Sequence, residues 1–362
     1  MSWELTAADL PDLSRGAALL GTGGGGDPYI GSKLVERVLG AGAITVLDPD
    51  DVTADALVIP TAMMGAPTVM IEKVPAGTEA VLALRTLESH LGRRADATMP
   101  IECGGINSMI PLAVAAETGL PVVDADGMGR AFPELSMETF AVYGVHGSPL
   151  AIAGERGDCV IIDTGDDDRQ MEWLARGVAI RLGGVGHIAE YAMSGDEVRR
   201  TAIPRTMSMA LSLGRAIREA REQKRSPFDA LAEALSTTLY SHMRELFVGK
   251  VVDVERRTTD GFAKGHARFA PLDAGDELEI AFQNENLTAH LGGVLIAIVP
   301  DLICVVDAET AEPITTEGLR YGQRVRVLGI STPALMRTPE ALAAFGPRAF
   351  GLSDEFFAVE SR

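Results

Sequence analysis

The stretch TMPIECGGINSMIPLAVAAETGLPVVDADGMGR, residues Thr98 to Arg130, reads as two strand-and-loop units joined by a helix. Thr98 to Glu102 is a short apolar strand that runs into Cys103-Gly104-Gly105-Ile106-Asn107-Ser108. Ile110 to Glu117 has helical apolar spacing and is stopped by Gly119. Pro121 to Asp124 is a second strand, which ends in Ala125-Asp126-Gly127-Met128-Gly129-Arg130. Strand, loop, helix, strand, loop is the grammar of an α/β layer. In such layers ligands gather on loops at the carboxyl ends of strands, so both glycine-bearing loops become candidates.

Working outward, Ile44 to Leu47 and Ala56 to Ile59 read as further strands, Met63 to Thr68 as a third loop of small residues, and Ala80 to Leu91 as a helix. Further upstream stands Gly21-Thr22-Gly23-Gly24-Gly25-Gly26-Asp27-Pro28, between an amphipathic run, Ala7 to Leu20, and a helical pattern, Gly31 to Leu39. Clustered glycine is entropically expensive, which leaves a structural turn or a loop whose N–H groups approach a ligand. Gly21, Gly23 and Gly26 have G-x-G-x-x-G spacing, but no strand precedes them and no acidic ribose partner follows. No Walker A lysine, G-x-S-x-G elbow or H-E-x-x-H is present, so no nucleotide is expected.

Downstream, Leu150 to Ala153 and Cys159 to Asp163 read as a hairpin, Met171 to Arg181 as a helix, and Gly183-Gly184-Val185-Gly186-His187 as a glycine cluster delivering a histidine. Ser194 is a candidate helix cap, and two long helices follow, Met207 to Lys224 and Pro227 to Leu246. Arg215, Arg218, Arg221, Lys224 and Arg225 on the first of these read as a solvated face. From Val248 the pattern changes to short strands separated by Gly, Asp and Pro. The expected fold is an α/β domain with helices over residues 1–246, carrying the site, joined by a helical connection to a smaller β-rich, sandwich or barrel-like domain over residues 247–333. The tail, 334–362, is expected to pack back on the first domain.

The 362 residues carry a formal charge of -19, which argues against a nucleic-acid partner because phosphate binding needs a basic face. Cys103, Cys159 and Cys304 are odd in number and widely spaced, against a disulfide framework or zinc cluster. No basic-then-apolar leader and no bilayer-length apolar run is found, so a cytoplasmic chain without a membrane partner is expected.

The glycine run, Met64-Gly65-Ala66-Pro67-Thr68-Val69, Glu102 to Ser108, and Pro121 to Glu134 together resemble the S-methyl thiohydantoin desulfurase-like family, whose genes accompany or fuse to hydantoinase/oxoprolinase proteins. Asn284-Glu285-Asn286-Leu287, Pro300-Asp301-Leu302-Ile303 and Leu319-Arg320-Tyr321-Gly322 are similar to its C-terminal part, so the resemblance covers nearly the whole chain. It implies the same two-domain plan and chemistry on a five-membered cyclic imide or thioimide, with C=S exchanged for C=O by water. The alternative is a non-catalytic subunit or ligand-binding partner of a hydantoinase/oxoprolinase-type enzyme. A homo-oligomer is expected.

Such an exchange needs a base for water and donors for the charge that develops. Asp124 and Asp126, two apart at a strand end, are candidate bases, or ligands of a divalent cation together with Glu102 and His187. Both aspartates are also ordinary turn and cap residues. Glu102 faces a double glycine and is a candidate acid or base, or a plain loop carboxylate. Asn107 offers a donor and an acceptor to an imide, and competes with Ser108 as a helix cap. Cys103 is weighed as a nucleophile and reads better as an inert thiol. Arg130 is a candidate clamp for a substrate carboxylate, or half of a structural ion pair. Gly23, Gly24, Gly25, Gly26, Gly104 and Gly105 are expected to supply backbone donors, with Asp27 fixing the loop's exit.

Overall fold

The computed structural model describes residues 2–65, 69, 76–259 and 262–362. Residues 66–68 of the expected Met63 to Thr68 loop lie outside them. In chain order the N-terminal part forms strand β1 (Trp3–Thr6), helices α1 (Leu10–Leu20) and α2 (Pro28–Leu39), strands β2 (Ala43–Leu47) and β3 (Leu57–Gly65), helix α3 (Thr78–Leu91), strand β4 (Ala97–Met99), helix α4 (Ile110–Thr118) and strands β5 (Val122–Val123) and β6 (Ala125–Asp126). A one-turn helix α5 (Thr139–Val142) leads to the hairpin β7 (Leu150–Ala153) and β8 (Cys159–Ile162). Then come helix α6 (Asp168–Arg181), strands β9 (Val185–Ala189) and β10 (Met193–Ser194), helix α7 (Gly195–Thr201), strand β11 (Ile203–Pro204) and helices α8 (Thr206–Glu222) and α9 (Pro227–Ser236).

Among the described residues nine strands make one mixed sheet in the order β1-β2-β5-β4-β3-β9-β7-β8, with β10 also on β3. Its centre, β2-β5-β4-β3, is parallel, and the flanking pairings are antiparallel. The parallel centre is apolar because both faces are covered: Val46, Val58, Ile59, Met99, Val122 and Val123 are all fully buried. The carboxyl ends of β3, β4 and β5 therefore open on one edge, where Met63 to Gly65, Ile101 to Asn107 and Asp124 to Arg130 meet. Ser194 caps α7 in a full capping box with Glu197, as its sequence position predicts.

The C-terminal part is one antiparallel sheet of strands β12 (Met243–Thr259), β13 (Phe262–Pro271), β14 (Leu278–Gln283), β15 (Glu285–Leu291), β16 (Val294–Ile298), β17 (Leu302–Asp307) and β18 (Arg324–Ile330), ordered β16-β15-β14-β13-β12-β18-β17. It curls into a half-barrel: Asn286 Nδ2 donates to Ile303 O at 2.8 Å, tying β15 to β17 across the opening. The expected helix from Pro227 to Leu246 is a correction. It ends at Ser236, where Thr237, Thr238 and Tyr240 turn the chain, and Met243 already belongs to β12. Helix α10 (Pro339–Phe345) brings Phe345 onto Phe132 of the N-terminal part, with ring centroids 4.9 Å apart. Among the described residues no helix is long and apolar enough to cross a membrane.

Candidate active site

The glycine run lies between α1 and α2, and its composition follows from what crowds it. A Cβ on Gly25 would stand 2.5 Å from Gly104 O, and one on Gly105 2.1 Å from Gly25 O. Both residues also have positive φ, +74° and +79°. The two glycine turns thus interlock, and Ile106 N donates to Gly25 O at 2.8 Å. A Cβ on Gly24 would overlap Glu285 Oε1 at 2.2 Å. Gly23 O accepts from Thr316 N at 2.7 Å and Thr316 Oγ1 at 3.0 Å. The first half of the run is a joint between the two parts of the molecule, and Gly25 and Gly26 line a cleft. Asp27 accepts from Tyr29 N at 2.9 Å and so caps α2.

The cleft encloses about 560 Å³ of empty space, part of it open to solvent. Met63, Met64, Ile101, Ile106, Met128 and Phe132 give it apolar walls; its polar groups are Glu102, Asn107, Glu134, Arg176, Asn284 and Glu285. Glu102 follows β4 and is buried. Its Oε1 accepts from Asn107 Nδ2 at 2.8 Å and its Oε2 from Phe132 N at 3.3 Å. Asn107 is itself oriented by Met63 N, which donates to Asn107 Oδ1 at 2.8 Å. Glu285 arrives from β15 and takes Gly25 N on Oε1 at 3.2 Å, while Oε2 is buried with no partner among the described residues. Burial, then the charge of Glu285, raises the Glu102 carboxyl well above its ordinary range. Burial pushes Glu285 up to about 8, and the Arg130 charge opposes that rise. The cleft therefore holds two carboxyls from the two parts of the molecule, and the charge of Glu285 favours the neutral form of Glu102.

The other sequence candidates sit elsewhere. Asp124, between β5 and β6, does not line the cleft: its Oδ1 accepts from Met207 N at 2.9 Å and Ser208 N at 3.0 Å, capping α8 from a distant part of the chain. Asp126 is fully buried beneath the cleft floor and accepts from Cys103 N at 2.6 Å and from Gly129 N. Burial lifts its pKa to about 7. His187 lies in β9 opposite Met63; burial lowers its pKa to about 4, and its Nδ1 has no partner among the described residues. Cys103 is buried, and burial with the Asp126 charge raises its pKa well above the ordinary thiol value, which removes it as a nucleophile. Arg130 is fully buried and donates to Ala131 O, Pro300 O, Asp301 O and Asn286 O at 3.1 to 3.2 Å. Its guanidinium is committed to backbone carbonyls across the joint, so it has no fork left for a substrate carboxylate. Among the described residues no three His, Cys, Asp or Glu side chains gather to hold a metal, and Asp124, Asp126, Glu102 and His187 do not converge.

Glu285 is the functional candidate that residue-by-residue reading missed; the sequence offered it only within a resemblance motif. A signal existed. Gln283-Asn284-Glu285-Asn286 interrupts a run of strand-forming residues with four adjacent polar side chains, and the last three are buried.

Residues 8–164 match the family described as S-Me-THD-like, N-terminal domain, and residues 166–359 match S-Me-THD-like, C-terminal domain. Among solved structures, a crystal structure of a protein from Chromobacterium violaceum is similar over 99% of this chain and 100% of that chain, with a TM-score of 0.83 and 27% identity. No curated protein matches.

Proposed function

The chain belongs to the S-Me-THD-like family, and from that premise we propose that it is a thiohydantoin desulfurase-like enzyme, which exchanges the sulfur of a small cyclic thioimide for the oxygen of water in the cleft. The observation that carries this reading is that Glu102 and Glu285, from the two parts of the molecule, line one cleft beside the Asn107 amide.

Glu285 is the group that gives up its proton, because Arg130 favours its anion and the Glu285 charge in turn favours the neutral form of Glu102. Its unpartnered Oε2 takes a proton from water as the water oxygen bonds to the thiocarbonyl carbon. The C=S π electrons move to sulfur, and neutral Glu102 protonates it. The remaining O–H proton returns to Glu102 as C=O forms and the C–S bond breaks. The departing sulfur takes the proton held by Glu285, leaving as hydrogen sulfide, and both carboxyls are restored. Asn107 Nδ2, with one N–H on Glu102, keeps a second for a ring carbonyl.

Purified protein is incubated with a panel of thiohydantoins, with and without S-methylation, while thione absorbance and released sulfide or methanethiol are followed. Turnover is expected, with kcat lowered by roughly 100-fold or more in Glu102→Gln, the usual scale for general acid–base groups. A folded protein that turns over no member of the panel overturns the reading.

A further inference from the structure

Helix α6 presents an exposed stripe that nothing in the cleft chemistry uses. Trp173 is 69% exposed and Ile180 65%, each unusually high for so large an apolar side chain. They lie at i and i+7 with Gly177 between them at i+4, on one helix face. Gly177 is exposed, and a Cβ built on it meets nothing within 4 Å. The stripe borders a groove of about 2310 Å³ of empty space, open to solvent, whose far wall is Ala344 and Ala349 of the tail.

We propose that this groove receives helix α6 of a second copy of the same chain, the two helices crossing antiparallel about a twofold axis at Gly177. Two features select this occupant. The small residue at the centre of the stripe lets two helix backbones approach, and Trp173 of one copy then falls against Ile180 of the other. The charges are self-complementary when reversed: α6 is entered through Asp166 and Asp167, its first turn adds Asp168, which already faces His146, and Arg169, so that end is net acidic, and it ends with Arg181. An antiparallel pair sets each acidic end beside the other's basic end and also opposes the helix dipoles. The contact is isologous, so one patch serves both copies. The groove shares Glu134 and Arg176 with the cleft, so pairing closes the outer rim of both cleft mouths.

The test is covalent capture at the axis in the full chain. Gly177→Cys is placed in a Cys159→Ser background, since Cys103 and Cys304 are buried. Mild oxidation is expected to give a disulfide-linked dimer, whereas Val294→Cys, an exposed site on β16, stays monomeric. Sedimentation of the unmodified chain at micromolar concentration is expected to give a dimer, and Trp173→Glu/Ile180→Glu a folded monomer. A monomeric unmodified chain, a dimer that survives the double substitution, or equal cross-linking at Val294→Cys overturns the proposal. None of these readouts depends on turnover, so they stand apart from the desulfurase reading.

Discussion

Asp124 and Glu285 show what decides a carboxylate's role. Both are acids beside strands, and only the donors that reach them differ. Asp124 is claimed by Met207 N and Ser208 N, because Arg205, which precedes α8 with φ +62°, makes no side-chain cap of its own. That partner lies more than eighty residues along the chain, and no local spacing reveals it. Glu102 and Asn107 were legible because each finds the other five residues away. Asp124→Ala is expected to lose about 1–2 kcal/mol of stability, the worth of a helix cap, while keeping kcat. Denaturant melts and initial rates measure the two. Glu285→Gln is expected to do the reverse, cutting kcat at least about 100-fold with little loss of stability. In the unmodified protein the base form of Glu285 grows as pH rises through about 8, so under the proposed reaction kcat/KM should climb to a plateau above that value. The rise should vanish in Glu285→Gln.

At the scale of elements, the sequence disclosed helices and strands where periodicity is strong and failed where a distant surface intervenes. Strand β1 is only Trp3–Thr6 and is held as a strand by pairing with β2. A run so short has no period of its own. The α1–α8 crossing is likewise invisible locally, although two glycines make it possible. A Cβ on Gly16 would stand 1.8 Å from Ala210 O, and one on Gly214 1.8 Å from Asp12 O. In an isolated helix Gly→Ala gains about 1 kcal/mol. Here overlap with a backbone oxygen must part the helices, and overpacking of that kind costs about 1–3 kcal/mol. Gly214→Ala is therefore expected to destabilise the protein on balance, and a rise in its melting temperature would refute the close crossing.

For the molecule as a whole, the buried acids set an unusual dependence on pH. Glu102, Glu138 and Glu190 are raised well above the carboxylate range by burial, Glu285 to about 8 and Asp126 to about 7. Each keeps its proton in the folded chain at pH values where the unfolded chain has lost it. Their stabilisation is complete below about pH 4 and is lost as pH rises through the folded values, at about 1.4 kcal/mol per pH unit for each group. His187, lowered to about 4, acts at the other edge: folding loses its contribution as pH falls below about 6.5. The melting temperature should therefore decline from mildly acidic to mildly basic buffer. Both Glu138 carboxyl oxygens are buried without partners among the described residues. Glu138→Gln should gain on the unmodified protein as pH rises, which paired calorimetric scans would detect. A melting temperature that is flat or rising from pH 6 to pH 9 would contradict the burial of these groups as acids. The two-part plan was legible from the change of pattern near Val248. The joint was not, because Arg130, Thr22 and Gly23 reach Asn286, Ile303 and Thr316 only after both parts have folded.

The acid and the base of the proposed reaction come from opposite sides of that joint, which has a consequence during synthesis. A ribosome making this chain finishes the β3–β5 edge, with Glu102 and Asn107 on it, long before it reaches β15. Until that strand emerges and docks on the glycine run, the nascent protein has a cleft wall but no couple to move a proton across it. Truncated products that stop before Asn284 should consequently be inert in the proposed reaction, which would be confined to finished molecules.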